Sequence, residues 1–191
     1  MKGNSIDTKL RLNMVFSGLV SLEEAFALIG KSGIAVNCDL KEYGALIPTL
    51  ELAEKDGIGA DRLIFSGSVD TALLEKEPEI TRRSKVFLNS EELVRDLTKG
   101  DLPDRVGQTA FLLANASLAA ERLHTLEAAA LNAAYKYTPD ELIAKMRARN
   151  VALSLWTLNE EAALREFMTK DLLNITTRTV FLALAVRNDL K

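Results

Sequence analysis

In the stretch "IAVNCDLKEYG", Ile34 to Gly44, three polar side chains alternate with apolar ones: Asn37, Asp39 and Lys41 are interleaved with Val36, Cys38 and Leu40. Alternate residues of an extended chain share a face, so an amide, a carboxylate and an ammonium are expected side by side. A carboxylate at a strand end suits a hard divalent ion, and a neighbouring lysine can neutralise a phosphate oxygen. The same pattern also fits an edge strand with one solvated face, or an Asp–Lys pair that satisfies itself. Other chemically versatile residues are scarce. His124 is the single histidine, placed near the end of an alanine-rich helix, where it reads as a surface or packing residue. With no candidate acid–base pair, no catalytic residue is assigned.

The chain that must position these residues has 191 of them, 48% hydrophobic, enough for one well-cored domain over residues 1–191. Lys plus Arg (24) nearly balance Asp plus Glu (27), so a net charge of −3 offers no general attraction for nucleic acid or an anionic membrane. Cys38, the single cysteine, excludes an intramolecular disulfide and a zinc framework and suits a reducing compartment. No run reaches the roughly 18 apolar residues of a spanning helix, and no signal-peptide pattern opens the sequence. The expectation is a cytoplasmic protein.

Along the chain, "SLEEAFALIG" has a capping-box spacing at Ser21 and Glu24 and reads as a helix leading into the Ile34 strand. "ALIPTLELAEKDG" predicts a helix ending at Gly57, "DRLIFSG" a buried strand, Ser68 to Glu75 a short helix, and "SKVFLN" a strand. Asn89 is placed to cap a helix through Leu97, "KGDLPDRVG" is a loop, and residues 108–124 favour one helix. "AAALNAAY" is ambiguous by periodicity and is taken as a strand from its context. "TPDE" predicts Thr138 as N-cap, Pro139 at the first helical position and Glu141 closing the box. "VALSLWTLN" follows as a strand, Asn159 as cap of "EEAALREFM", "LLNITT" as a strand, and a last helix over about Thr179 to Asn188. Strands separated by helices predict a parallel α/β sheet with right-handed crossovers. No glycine-rich phosphate cradle follows the first strand, which disfavours a doubly wound nucleotide-binding fold. A barrel, with chemistry at the C-terminal ends of its strands, fits better.

The ordered motifs carry a resemblance. "VNCDLKE" resembles the third-strand motif of the glycerophosphodiester phosphodiesterases, usually Asn-x-Glu-x-Lys, with Asp in place of Glu. "RLIFSGSVD" is similar to the following strand of that family, and "KVFLN" and "AAALN" occupy its later strands. "TPDELIAKMRARNVALSLWTLNEE" resembles its helix, strand and Trp-Thr-x-Asn signature, and "NITTR" its closing strand. The match runs in a consistent order from roughly Val20 to Val186. It implies a TIM-barrel-like (β/α) fold and hydrolysis of glycerophosphodiesters to an alcohol and glycerol 3-phosphate with a divalent metal (Mg or Ca) and two histidines. Carried over, Asp39 takes the metal-ligand position, Lys41 the phosphate-contacting position, and Trp156 an aromatic that lines the substrate pocket. Trp156 also reads as a core aromatic filling the barrel mouth.

The departures from the family are as informative. Its His-Arg-Gly strand, Glu-x-Asp strand and His-Asp pair have no counterpart here, leaving one of three metal carboxylates and neither catalytic histidine. The expectation is an incomplete fold, about six of eight parallel strands with intervening helices, N-terminally truncated and lacking the first two β/α units. The isolated chain is expected to be inactive, with a non-catalytic phosphate-ligand-binding or interaction module as the alternative. The implied ligand is a glycerophosphodiester or glycerol phosphate. The Ile34 and Leu172 strands would be open edges, to be covered by "LRLNMVF" as an added strand, a missing N-terminal segment or a homodimer partner.

Overall fold

The computed structural model describes residues 20–190, and the "LRLNMVF" stretch lies outside them. Helix α1 (Leu22–Ser32) opens the described chain. Its cap is the predicted box: Ser21 Oγ accepts from Glu24 N at 3.1 Å, and Ser21 N donates to Glu24 Oε2 at 2.8 Å. Then come β1 (Val36–Leu40), a short 3₁₀ turn (Tyr43–Ala45), α2 (Leu46–Lys55), β2 (Leu63–Gly67), α3 (Thr71–Lys76) and α4 (Glu79–Arg83). Strand β3 (Lys85–Asn89) leads into α5 (Ser90–Thr98), α6 (Arg105–Ala114) and α7 (Ala116–Thr125). The series closes with β4 (Ala130–Ala134), a 3₁₀ turn (Tyr135–Tyr137), α8 (Asp140–Arg147), β5 (Leu153–Trp156), α9 (Glu161–Met168), β6 (Asn174–Ile175) and α10 (Val180–Asp189).

All six described strands are parallel and lie in sequence order, β1 to β6, which makes a curled, incomplete TIM-barrel-like sheet. The hydrophobic core sits between its convex face and the helices. Leu63, Phe65, Val86, Leu88, Leu131, Leu153 and Leu155 point there and are buried against helical residues such as Leu46, Leu50, Leu93, Leu123 and Met146. The intervening strand residues face the concave side, in rows fixed by the register: Asp39 beside Ser66, Asn89 beside Asn132, Asn132 beside Ser154, and Ser154 beside Asn174.

Several local expectations are corrected. Helix α8 begins at Asp140 with Pro139 as its N-cap, because the Pro139 backbone is extended (ψ 159°) and the Thr138 hydroxyl donates back to Ala134 O at 2.9 Å instead of capping. Glu160 holds the N-cap position of α9 without a side-chain capping bond, and Asn159 spends its side-chain oxygen on Arg178 N at 2.8 Å. The run over residues 108–124 is two helices, interrupted at Asn115, where φ is −117° and the side-chain amide donates to Phe111 O. Helix α4 was not expected. Strand β1 begins at Val36 and leaves Ile34 exposed outside it, while "LLNITT" contributes only the two residues of β6.

Candidate functional site

The C-terminal ends of the strands surround a cleft of about 190 Å³, lined by Asn37, Asp39, Lys41, Ser66, Asn89, Asn132, Trp156, Thr157 and Thr176. Asp39, Lys41 and Trp156, separated widely in sequence, therefore meet in one cavity. Period-two alternation on β1 sends Asn37 and Asp39 to the concave face while Cys38 and Leu40 turn toward the helices. Burial raises the Cys38 thiol to about 11, so it is neutral at physiological pH and belongs to the packing side of the strand.

At the β1 end of the cleft the Lys41 ammonium donates to Asp39 Oδ2. Both side chains are more than half exposed, at 79% for Lys41 and 57% for Asp39, so the pair is solvent-screened. It lies beside Gly67, whose φ of 83° and missing Cβ let the end of β2 approach: a Cβ there would stand 2.5 Å from Asp39 Oδ1 and 2.2 Å from Leu40 O. Ser68 N then donates to Leu40 O at 2.8 Å. The glycine thus lets the carboxylate lie flat against the sheet end.

The floor is a belt of uncharged amides and hydroxyls. Ser66 Oγ donates to Asn37 Oδ1 at 3.0 Å. The Asn132 side-chain amide reaches Asn89 Oδ1 at 2.7 Å, Ser154 Oγ at 2.9 Å and the Trp156 indole N–H at 3.3 Å. Asn174 Nδ2 donates to Ser154 Oγ at 2.9 Å and to Thr176 Oγ1 at 3.3 Å. Ser66, Asn132 and Ser154 are buried, and no buried side-chain polar atom among the described residues lacks a partner. The buried atoms of the belt are satisfied internally, as buried polar groups must be.

Trp156 ends β5 and forms one wall, half-buried, with its indole N–H tied to Asn132. The peptide bond to Thr157 is cis. The guanidinium of Arg105 lies over the Trp156 ring, 4.9 Å from its centroid, and pairs with Glu91 Oε1 at 2.9 Å. Arg105 is the first residue of α6, where the Asp104 side chain caps the helix by accepting from Gly107 N at 2.8 Å.

The sequence reading missed Ser66, Asn132, Ser154 and Arg105, and it took Asn89 for a helix cap. Asn89 holds the N-cap position of α5 but makes no side-chain capping bond, and its amide turns into the cleft. A signal was available: "LIFSG", "VFLN", "ALNAA" and "LSLW" each place one polar residue in an apolar strand. Arg105 carries no such signal, because only the fold brings the start of α6 over β5. His124 is exposed on α7 and is not among the residues lining the cleft.

A divalent cation is the cofactor implied by the resemblance, and the described residues do not fit one. Hard cations take several oxygen ligands, including carboxylates. Asp39 is the only carboxylate in the lining, and no group of three His, Cys, Asp or Glu suited to a metal occurs among the described residues.

No family model and no curated protein matches the sequence. Solved structures match its fold. A glycerophosphodiester phosphodiesterase from Parabacteroides distasonis is 13% identical with a TM-score of 0.61, the match covering 89% of this chain and 65% of that one. A glycerophosphodiester phosphodiesterase from Thermotoga maritima is 18% identical with a TM-score of 0.54, the match covering 93% of this chain and 62% of that one. The chain therefore spans less than two thirds of the length of either, and its fold is similar to that of the matched part of these proteins.

Proposed function

We propose that this chain is a glycerophosphodiester phosphodiesterase-like protein that binds a glycerophosphodiester or glycerol phosphate in the strand-end cleft, and that by itself it does not hydrolyse the diester. The observation carrying this reading is the convergence of Lys41, Asp39 and Trp156 on one cavity lined otherwise by hydrogen-bonding side chains. In a parallel (β/α) barrel the strand C-termini are where ligands bind. Lys41 is the phosphate contact: an ammonium has three donors, so it can keep Asp39 and reach a phosphate oxygen as well. Trp156 forms the wall against the glycerol carbons, and the amide belt offers donors and acceptors to the hydroxyls. Loss of hydrolysis follows from the residue inventory. A general acid and base must stand within hydrogen-bond reach of the reacting atoms, and the cleft lining holds no histidine and a single carboxylate.

Calorimetric titration of the chain with glycerol 3-phosphate and with glycerophosphodiesters tests the binding. Binding is expected to weaken about tenfold in Lys41→Gln, the loss of one charge-assisted contact. Equal affinity in the variant removes Lys41 from the site. Hydrolysis of glycerophosphocholine by the purified chain with Mg²⁺ or Ca²⁺, abolished in Asp39→Ala, would overturn the non-catalytic half of the proposal. That hydrolytic reading is the alternative, and it rests on Asp39 standing at the strand end next to Lys41.

A further inference from the structure

We propose that Arg105, acting through Trp156, makes the cleft select uncharged, hydroxyl-rich headgroups over quaternary-ammonium ones, an inference that rests on reading the cleft as a glycerophosphodiester site. A quaternary ammonium is recognised by open aromatic faces, whose negative quadrupole attracts it, and by carboxylates. Both devices are opposed here by a cation of the chain itself. Trp156 is the aromatic residue of the lining, and its ring carries the Arg105 guanidinium at 4.9 Å, within cation–π range. That guanidinium is fixed: Glu91, itself mostly buried at 19% exposure, pairs with it at 2.9 Å, and the backbone of Arg105 is set by the capped start of α6. The carboxylate of the lining, Asp39, is paired with Lys41.

What the cleft leaves for a headgroup is neutral. Asn37, Ser66, Asn89, Thr157 and Thr176 supply amide and hydroxyl groups and no formal charge. Such groups match vicinal hydroxyls, each of which donates once and accepts, and they provide nothing to offset desolvation of a cation. Arg105 is not in the lining and is a positioning residue: it engages the ring and adds positive charge behind it.

Two probes that share the glycerophosphate moiety separate the contributions, glycerophosphoinositol and glycerophosphocholine. Calorimetry on the native chain is expected to give about tenfold tighter binding of the inositol ester, the size of one cation–π contact. In Arg105→Gln the preference should fall to within about twofold, chiefly through tighter choline binding, and Arg105→Lys should restore most of it because the cation is kept. Glu91→Gln serves as a second variant that keeps the guanidinium but removes the ion pair fixing it, and should lower the preference part-way between the native chain and Arg105→Gln. Equal or tighter binding of the choline ester by the native chain overturns the inference. So does an Arg105→Gln variant in which both affinities fall together, since that is the mark of a structural role. Failure of the native chain to bind either probe overturns the reading of the cleft itself, and a result of that kind is distinct from binding without discrimination.

Discussion

At the residue scale, the chemistry of Asp39 depends on what surrounds it. In a full divalent site a carboxylate is a ligand and its loss weakens phosphate binding through the missing metal. Here the lining adds no second carboxylate, so under the proposed function Asp39 is a negative charge beside the bound phosphate, partly cancelling Lys41. Asp39→Asn is therefore expected to tighten binding of glycerol 3-phosphate by about three- to tenfold, the size of one partly screened like-charge interaction. Calorimetry in the presence and absence of Mg²⁺ decides the point, and weaker binding in the variant only when Mg²⁺ is present would mark Asp39 as a metal ligand. Asp39 and Lys41 were legible as a pair because strand periodicity alone brings them to one face. Arg105 was not, because its partner Trp156 lies 51 positions away and only folding makes them neighbours.

At the element scale, the close approach of β1 and β2 is the step that sets the Asp39 carboxylate. Gly67 ends β2 at φ 83°, and a Cβ there would collide with Leu40 O at 2.2 Å and Leu40 N at 2.9 Å. Neither backbone atom has freedom to retreat, since Leu40 O also accepts from Ser68 N. Gly67→Ala is expected to cost about 2–4 kcal/mol, combining left-handed strain with overpacking. Urea unfolding of the variant measures it, and a loss under about 0.5 kcal/mol would show that the two strand ends are free to separate. Elements with strong local signals were legible: the Ser21 box, the apolar strands and the helix breaks at glycine and proline. The Thr138 and Asn159 caps were not, because both side chains found nonlocal or backward partners in Arg178 N and Ala134 O. Capping rules are local, and tertiary competition for the same oxygen overrides them.

At the scale of the molecule, the sheet is graded from its middle outward. Central strands β2 to β5 are hydrogen-bonded on both sides and their convex-face side chains are fully buried, whereas β6 pairs through only Ser154 with Asn174 and Leu155 with Ile175. Amide hydrogen exchange is expected to be slowest at Phe65, Leu88 and Leu131 and at least about a hundredfold faster in β6, a difference in local opening of about 3 kcal/mol. Uniform protection from β2 through β6 would contradict that gradient. Around β6, helix α10 leaves Val180 and Phe181 exposed, Phe181 at 90%, so this end of the sheet also carries uncovered apolar surface.

Composition and alternating strands and helices were enough to predict a parallel α/β barrel-like sheet, period-two alternation singled out Asp39 and Lys41, and the family resemblance singled out Trp156. Hydrophobic periodicity is a local property, and it dictates which face of each element is buried whatever the partner. The tertiary structure decided the rest. Strand register set Asn89, Asn132, Ser154 and Asn174 in one row, and helix α6 carried Arg105 over Trp156. Those pairings join residues far apart in the chain, so they exist only once the sheet has closed them together.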